Sequence, residues 1–196
     1  MTLRRTADDT TPPSVALVQE FLNTLDLERF GPHASTPDEQ RDRVRTPQLL
    51  REWLTGYGLL RAGARVTRSD VADCGVLRAA LRARLRAEQG LGFDARALEE
   101  GERLAARLPL SVGLEPGAAN LQPLMSGARG ALGRLLAEFA TASASGELRR
   151  LKVCSAEDCQ FVFFDHSKSR TQRWCAMEVC GNREKTRRYR ALHRHG

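Results

Sequence analysis

The 196-residue sequence has no run of about 18 apolar residues, so no segment is long enough to cross a membrane as a helix. Its first residues, MTLRRTADDTTPP, lack the apolar core of a signal peptide. We therefore expect a cytoplasmic protein without a membrane partner. Lysine is scarce, with 3 Lys against 28 Arg. Arginine is also abundant where the chain is electrically neutral, so its abundance alone does not indicate nucleic-acid binding.

Recognisable catalytic signatures are also missing. The sequence contains no GxSxG, HExxH, P-loop or Rossmann motif. The first 146 residues hold one histidine, His33, in a loop flanked by prolines. Without a nucleophile–base pair or an open metal site, we expect a protein that is not an enzyme.

The positive charge of the chain is confined to its C-terminal quarter. Residues 1–148 contain 19 Arg, no Lys and 19 acidic residues, a net charge of zero. Residues 149–196 contain 12 Lys and Arg against 5 acidic residues, which gives +7, the net charge of the whole chain. Such an asymmetry predicts a polyanion-binding module attached to a neutral domain.

Four of the five cysteines lie in the same basic segment. Two C-x4-C pairs are separated by fifteen residues and comprise Cys154, Cys159, Cys175 and Cys180. Four thiolates in two close pairs favour one structural zinc ion with no open position. Two disulfides are the alternative, which a reducing compartment disfavours. His166 is a weaker candidate to replace one ligand. Cys74 lies on an apolar helix stripe and is predicted to be a core residue.

Hydrophobic periodicity predicts a mainly α fold. A tail over 1–13 precedes a helical domain over 14–146, and a zinc-binding module with a basic helix occupies 147–196. We expect helices from a cap at Ser14, from Thr46–Pro47 to an end at Gly56 and Gly58, from a cap at Ser69 or Asp70 to Glu88, over Ala95–Leu108 and over Pro123–Ala142. One β-hairpin is expected over 108–122, with its turn at Glu115–Gly117, and a joint at Ser143–Gly146. Residues 31–46 are predicted to form a loop.

The segment after the last cysteine predicts a basic helix over 181–195. At 100° per residue, one edge of this helix carries Arg183, Arg187, Arg190 and Arg194. Lys185 of the same helix is a further candidate for nucleic-acid contact. Tyr189 and Leu192 fall on the opposite side and are expected to pack on the zinc module. The arginine edge suits a DNA groove, where phosphates supply most of the affinity. RNA is an alternative, since four aromatic residues of the module (Phe161, Phe163, Phe164, Trp174) could stack on bases, although a small core around the zinc is the favoured role for them.

The stretch WCAMEVCGNR at 174–183 resembles the CGNR zinc-finger family of bacterial proteins. The resemblance extends over residues 150–194 and includes Cys154, Cys159, Phe163, Asp165, Ser167, Arg173, Lys185 and Tyr189. Ser169 departs from it, because Asn or Gly is expected in that turn. Within the motif, Gly181 allows tight backbone geometry and Asn182 could cap the basic helix. Arg183 has two open roles, a hydrogen bond inside the module or a place on the arginine edge.

The preceding part resembles the ABATE-type domain of stress-induced transcription regulators. Phe21-Leu22-Asn23-Thr24, Trp53-Leu54 and Leu77-Arg78 carry this resemblance. It implies a DNA-binding regulator whose N-terminal domain senses an effector or forms a homodimer. Asn23, Trp53 and Arg78 are the candidate lining of an effector pocket. The favoured alternative is that these three residues satisfy one another in the core, with Arg78, Arg82 and Arg86 forming a solvated stripe. A protein-interaction adaptor built on the zinc module is the other class of function.

Overall fold

The computed structural model describes residues 10–114 and 120–193, and the chain is mainly helical, as predicted. The helices are α1 (Pro13–Leu22), α2 (Asp38–Arg41), α3 (Pro47–Gly56), α4 (Arg68–Glu88), α5 (Ala95–Ala105), α6 (Gly127–Ala144) and α7 (Asn182–Leu192). The strands are β1 (Leu110–Gly113), β2 (Asn120–Pro123), β3 (Leu151–Val153) and β4 (Val162–Phe164). The predicted loop over 31–46 holds α2 and a 3-10 turn at Gly31–Ser35.

Two of the first three long helices start at residues other than the predicted ones. Thr67 caps α4: its hydroxyl accepts from the Asp70 amide at 3.2 Å, and the Asp70 carboxylate accepts from the Thr67 amide at 2.8 Å. The predicted cap at Ser69 or Asp70 was therefore wrong by two to three residues. Pro12 rather than Ser14 precedes the first turn of α1. At α3 the predicted Thr46–Pro47 start is confirmed.

Two antiparallel hairpins accompany the helices. β1 pairs with β2, with Leu110 opposite Pro123, so α6 begins at Gly127 and not at Pro123 as predicted. The predicted turn at Glu115–Gly117 lies outside the described residues. The second hairpin, which the sequence patterns did not predict, pairs β3 with β4 beside the first two cysteines.

One hydrophobic core extends from the helices into the second hairpin. Its centre is formed by α1, α4 and α6, and Leu151, Val153 and Val162 from β3 and β4 are buried in the same cluster. The predicted joint is short, because Ser143 and Ala144 still belong to α6 and Gly146 turns the chain with φ 79°. Buried apolar contacts therefore cross the predicted boundary at 146/147.

The start of the described chain is fixed against the zinc module. Residues 1–9 of the predicted tail lie outside the described residues. Thr11 is buried, and the hydroxyls of Thr10 and Thr11 lie 3.2 and 3.5 Å from the two ring nitrogens of His166. Over the described ranges, no helix is long and apolar enough to span a membrane.

Candidate functional site: a four-cysteine centre and a basic helix

The four paired cysteines converge on one point. Cys154 follows β3, Cys159 precedes β4, and a π-helical turn at Met177–Gly181 brings Cys180 close to Cys175. All four sulfurs lie within 4.8 Å of one another, with Cys159–Cys175 at 3.6 Å and Cys175–Cys180 at 3.7 Å. Four Zn–S bonds of about 2.3 Å in a tetrahedron separate the sulfurs by about 3.8 Å. The cluster therefore fits a single structural zinc.

The structure supports neither alternative to this ligand set, the two disulfides or ligation by His166. All five cysteines are free thiols, so neither pair forms a disulfide. His166 contacts Thr10 and Thr11 and is not a member of the cysteine cluster. Cys74 is fully buried in the main core, where burial raises the pKa of its thiol to about 12 and keeps it neutral.

Aromatic side chains surround the sulfurs. Phe163 is buried against the cysteines, and Phe161 and Trp174 pack on the same cluster. Phe30, from the loop after α1, joins them from outside the predicted module. These rings form the small core around the metal centre, which leaves them poorly placed to stack on RNA bases.

A buried arginine of α4 holds the turn that follows the second cysteine. Gln160 has φ 53°, a left-handed conformation that is costly for a residue with a side chain. Arg82 donates to the Gln160 carbonyl and, at 2.6 Å, to the Leu22 carbonyl at the end of α1. Arg82 is 6% exposed, and burial lowers its pKa to about 10, so it remains charged at neutral pH. The cation thus ties α1, α4 and the metal-binding turn together.

Further hydrogen bonds join the helices to the hairpin of the metal centre. The Asn23 side-chain amide donates to the Val162 carbonyl at 2.7 Å, and its oxygen accepts from the Val162 amide at 2.9 Å. The Gln89 side chain accepts from the Val153 amide at 3.2 Å. Each contact satisfies a backbone group at the edge of the β3–β4 hairpin that β pairing leaves open.

The three candidate pocket residues have separate partners. Asn23 binds Val162, as described above. Arg78 donates to the Thr24 hydroxyl at 2.8 Å and forms an ion pair with Asp42 at 2.5 Å. Trp53 packs against the rings of Phe21 and Tyr57, at 5.8 and 4.5 Å.

Two expectations need correction, one about the three pocket candidates and one about the arginines of α4. Asn23 and Arg78 bond to other groups and not to one another, and the buried indole N–H of Trp53 has no hydrogen-bond partner among the described residues. The stripe of Arg78, Arg82 and Arg86 is not solvated. Arg78 and Arg82 are buried, and Arg86 is half-buried with one nitrogen 2.7 Å from the Leu91 carbonyl. Burial alone would raise the pKa of Asp42, but Arg78 overcomes this effect and holds it below its ordinary value.

A buried carboxylate organises the loop between the two cysteine pairs. Asp165 is fully buried and accepts from the Lys152 ammonium at 2.6 Å, the Ser167 hydroxyl at 2.6 Å and the Gln172 amide at 3.0 Å. Burial would raise the pKa of Asp165, but Lys152 and these hydrogen bonds hold it below its ordinary value. Asp165 therefore connects β3 with residues at both ends of the loop from β4 to Cys175.

We expect Asp165→Asn to lower the free energy of unfolding at neutral pH by about 3–5 kcal/mol, because Lys152 loses its carboxylate partner in a largely buried place and keeps only backbone carbonyls. A pKa lowered by folding contributes stability above the unfolded pKa, near about 4, and this stability is lost as the pH falls through the folded value. Urea unfolding between neutral and acidic pH should therefore show that the variant and the wild type converge on acidification. The matched control is Asp38→Asn at an exposed carboxylate. A neutral-pH deficit no larger than that of the control would contradict the role of Asp165.

The N-terminal turn of α7 is attached to the metal centre through arginines. Arg183 donates to Asp158 at 2.6 Å, and its guanidinium lies 3.4 Å from the centroid of the Phe30 ring. Arg187 donates to the other oxygen of Asp158 at 2.9 Å and pairs with Glu184 at 3.0 Å. Of the two roles left open for Arg183, the structure shows the internal one.

The orientation of α7 differs from the predicted one. Tyr189 and Leu192 were expected to pack on the zinc module, but they are 63% and 71% exposed. The inward contacts come from the arginine edge, because Asp158 and Phe30 lie on that side. Lys185, Arg188 and Arg190 are exposed and form no ion pair within the described part of the chain. Arg194 lies outside the described residues.

The CGNR motif has its own local contacts. Asn182 does not cap α7: its side-chain amide donates backward to the Glu178 carbonyl at 3.2 Å. A Cβ on Gly181 would lie 2.4 Å from the Met177 sulfur, so the glycine accommodates that side chain. Arg183, the last residue of the motif, contacts Asp158 and Phe30.

The sequence patterns did not indicate the roles of three residues that are important to this site: Phe30, Asp158 and Arg82. Asp158 directly precedes Cys159, and an acidic residue beside a metal ligand is a signal that could have suggested a partner for a nearby arginine. Phe30 and Arg82 contact residues more than 70 positions away. No local pattern marks such contacts.

Comparison with known families divides the chain at about the same place. The family profile described as "Putative stress-induced transcription regulator", ABATE, matches residues 15–148. The profile of the CGNR zinc finger matches residues 150–193. No curated protein matches the chain. Both descriptions are regulatory or zinc-binding and neither is enzymatic.

Proposed function

Because the chain belongs to the ABATE family and carries a CGNR zinc finger after that domain, we propose that it is a bacterial transcription regulator whose helix α7 binds DNA. The observation that carries the proposal is the position of α7. The helix follows the last zinc ligand, buries none of its side chains and is attached only at its first turns. A highly charged helix with no fully buried side chain is suited to a charged partner.

The charges available to DNA are fewer than the sequence count. Asp158 partly neutralises Arg183 and Arg187, whereas Lys185, Arg188 and Arg190 are exposed. Three phosphate contacts release about three counterions, so we expect a log–log slope of affinity against salt of roughly −3. The first two arginines position the helix, and the remaining cations make most of the contact.

Selection of genomic DNA fragments by the zinc-loaded protein at near-physiological salt tests this proposal. The double variant Arg188→Glu/Arg190→Glu should lose the enriched fragments and weaken binding by at least about tenfold, because two attractive charges become repulsive. The matched control is Arg51→Glu/Arg65→Glu, which reverses two exposed arginines of the N-terminal domain.

Three outcomes would contradict the proposal or narrow it. Equal loss in both double variants would remove α7 from the interface. Retention of RNA in place of DNA would favour an RNA-binding protein. A zinc-loaded protein that retains neither nucleic acid would favour the protein-interaction adaptor, for which exposed Tyr189 and Leu192 offer apolar contacts.

The N-terminal domain is proposed to sense an effector or to form a homodimer. A single small module seldom supplies high sequence specificity, and two copies would double the contact with DNA. Light scattering with and without the selected DNA fragment measures the oligomeric state. As a transcription regulator, the protein would act in the cytoplasm.

A further inference from the structure

An apolar cleft lies between α4, α5 and α6, away from the residues first considered for a ligand. Its volume is about 380 Å³, and its walls include Leu77 and Leu81 of α4, Leu98 and Ala105 of α5, and Phe139 and Ala140 of α6. Pockets that take small molecules have volumes of about 300–1,000 Å³ and mainly apolar walls. From this geometry we infer that the cleft binds a small, neutral, mainly apolar molecule.

Helix packing explains why the space exists. α5 approaches α4 closely at one point, where a Cβ on Gly101 would lie 2.2 Å from the Cβ of Ala80. Across the cleft, Ala105 of α5 and Ala140 of α6 are too short to fill the gap. The cleft is therefore a pocket between three helices that is partly open to solvent.

Charge at the rim selects a neutral ligand. Arg84 is the only cation among the lining residues, and its guanidinium already pairs with Glu88 at 2.7 Å. Glu102 adds a negative charge to the same rim. An anion would meet repulsion without a free cation, and burying a charge against apolar walls is costly.

The elements around the cleft also hold the metal centre. On α4, Arg82 lies about 100° around the helix from Leu81 and binds Gln160 next to a zinc ligand. α6 continues through the 3-10 turn at Glu147–Arg150 into β3 and Cys154. A ligand that changes the spacing of α4 and α6 would therefore act on both supports of the zinc module. This effector role rests on the proposed function, whereas the binding itself does not.

A matched pair of fluorescent probes tests the inference on the full zinc-loaded chain. N-phenyl-1-naphthylamine is neutral and apolar, and 8-anilino-1-naphthalenesulfonate has the same skeleton with an added sulfonate. We expect saturable binding of the neutral probe with one site per chain, and at least about tenfold weaker binding of the sulfonate. Equal binding of both probes would overturn the assigned ligand class.

Variants locate the bound probe. Ala140→Phe fills the cleft and should weaken binding of the neutral probe by at least about tenfold. Ala105→Leu does the same from the facing helix and serves if the larger replacement disturbs folding. Ala79→Phe is the control, because Ala79 is exposed on α4 outside the cleft.

The inference is overturned if the wild type shows no saturable binding, or if both filled variants bind as the wild type does. A dimer that Ala140→Phe separates into monomers would also overturn it, by assigning the cleft to a second copy. A protein that binds the neutral probe but no DNA would retain the ligand site and lose the proposed function, so the two failures can be told apart.

Discussion

A Cys180→Ser variant is expected to purify without zinc and to unfold at a lower temperature than the wild type. Zinc supplies apparent folding free energies of about 10–16 kcal/mol in zinc-finger peptides. Helix α7 begins two residues after Cys180 and buries none of its side chains, so it has little else to hold it. Metal analysis, thermal unfolding and limited proteolysis should show loss of zinc, a lower Tm and cleavage within residues 173–193.

The lower Tm should belong to the main unfolding transition. Leu151, Val153 and Val162 lie in the same hydrophobic core as α1, α4 and α6, so the metal centre and the helices are expected to unfold together. A separate low-temperature transition beneath an unchanged main one would contradict this coupling.

The fifth cysteine, Cys74, provides the control for this experiment. Cys74→Ala removes a cysteine outside the cluster and should keep one zinc per chain, because Cys74 is buried in the helical core and faces no metal. If Cys180→Ser also retained one zinc and the wild-type Tm, the structural zinc assignment would be wrong.

Arg82→Met is expected to lower the free energy of unfolding by about 2–5 kcal/mol and to speed the release of zinc to a chelator. The methionine side chain fills part of the space of the arginine, but the carbonyls of Gln160 and Leu22 lose their hydrogen-bond donor. Each buried carbonyl left without a donor costs about 1–3 kcal/mol. Gln160 also loses a contact that holds its left-handed backbone next to Cys159. Urea unfolding and a colorimetric zinc-release assay measure the two effects.

Arg84→Met is the matched control on the same helix. Arg84 is half exposed and pairs with Glu88, and a surface pair of this kind contributes about 0–1 kcal/mol. The contrary result is an Arg82→Met variant that has a lower free energy of unfolding and yet releases zinc at the wild-type rate. That result would show that Arg82 supports the helices but not the metal-binding turn.

Together these experiments address how the two parts of the chain communicate. If zinc stabilises the helices, then the helices must stabilise zinc binding by the same free energy, because coupling between two sites is reciprocal. Arg82 and Asn23 are two of the direct links, and the cleft between α4, α5 and α6 lies next to Arg82. If the proposed function is correct, such a link would connect the N-terminal domain with helix α7.

The sequence by itself determined the features that depend on neighbours along the chain. Ligand pairs spaced by four residues indicated the zinc centre, since each pair needs only one turn to converge. Apolar periodicity located α3 and α4 because it reflects the repeat of one helix. The difference in net charge between residues 1–148 and residues 149–196 follows from counting charged residues.

Only the tertiary structure decided which side of each polar helix faces inward. A helical wheel places Tyr189 opposite the arginine edge of α7, but Asp158 and Phe30 turn that edge toward the protein. The arginines of α4 have a solvated pattern in sequence, yet Arg82 is buried because two backbone carbonyls far along the chain need its donors. A buried charge is stable only where its partners converge, and those partners meet only in the folded chain.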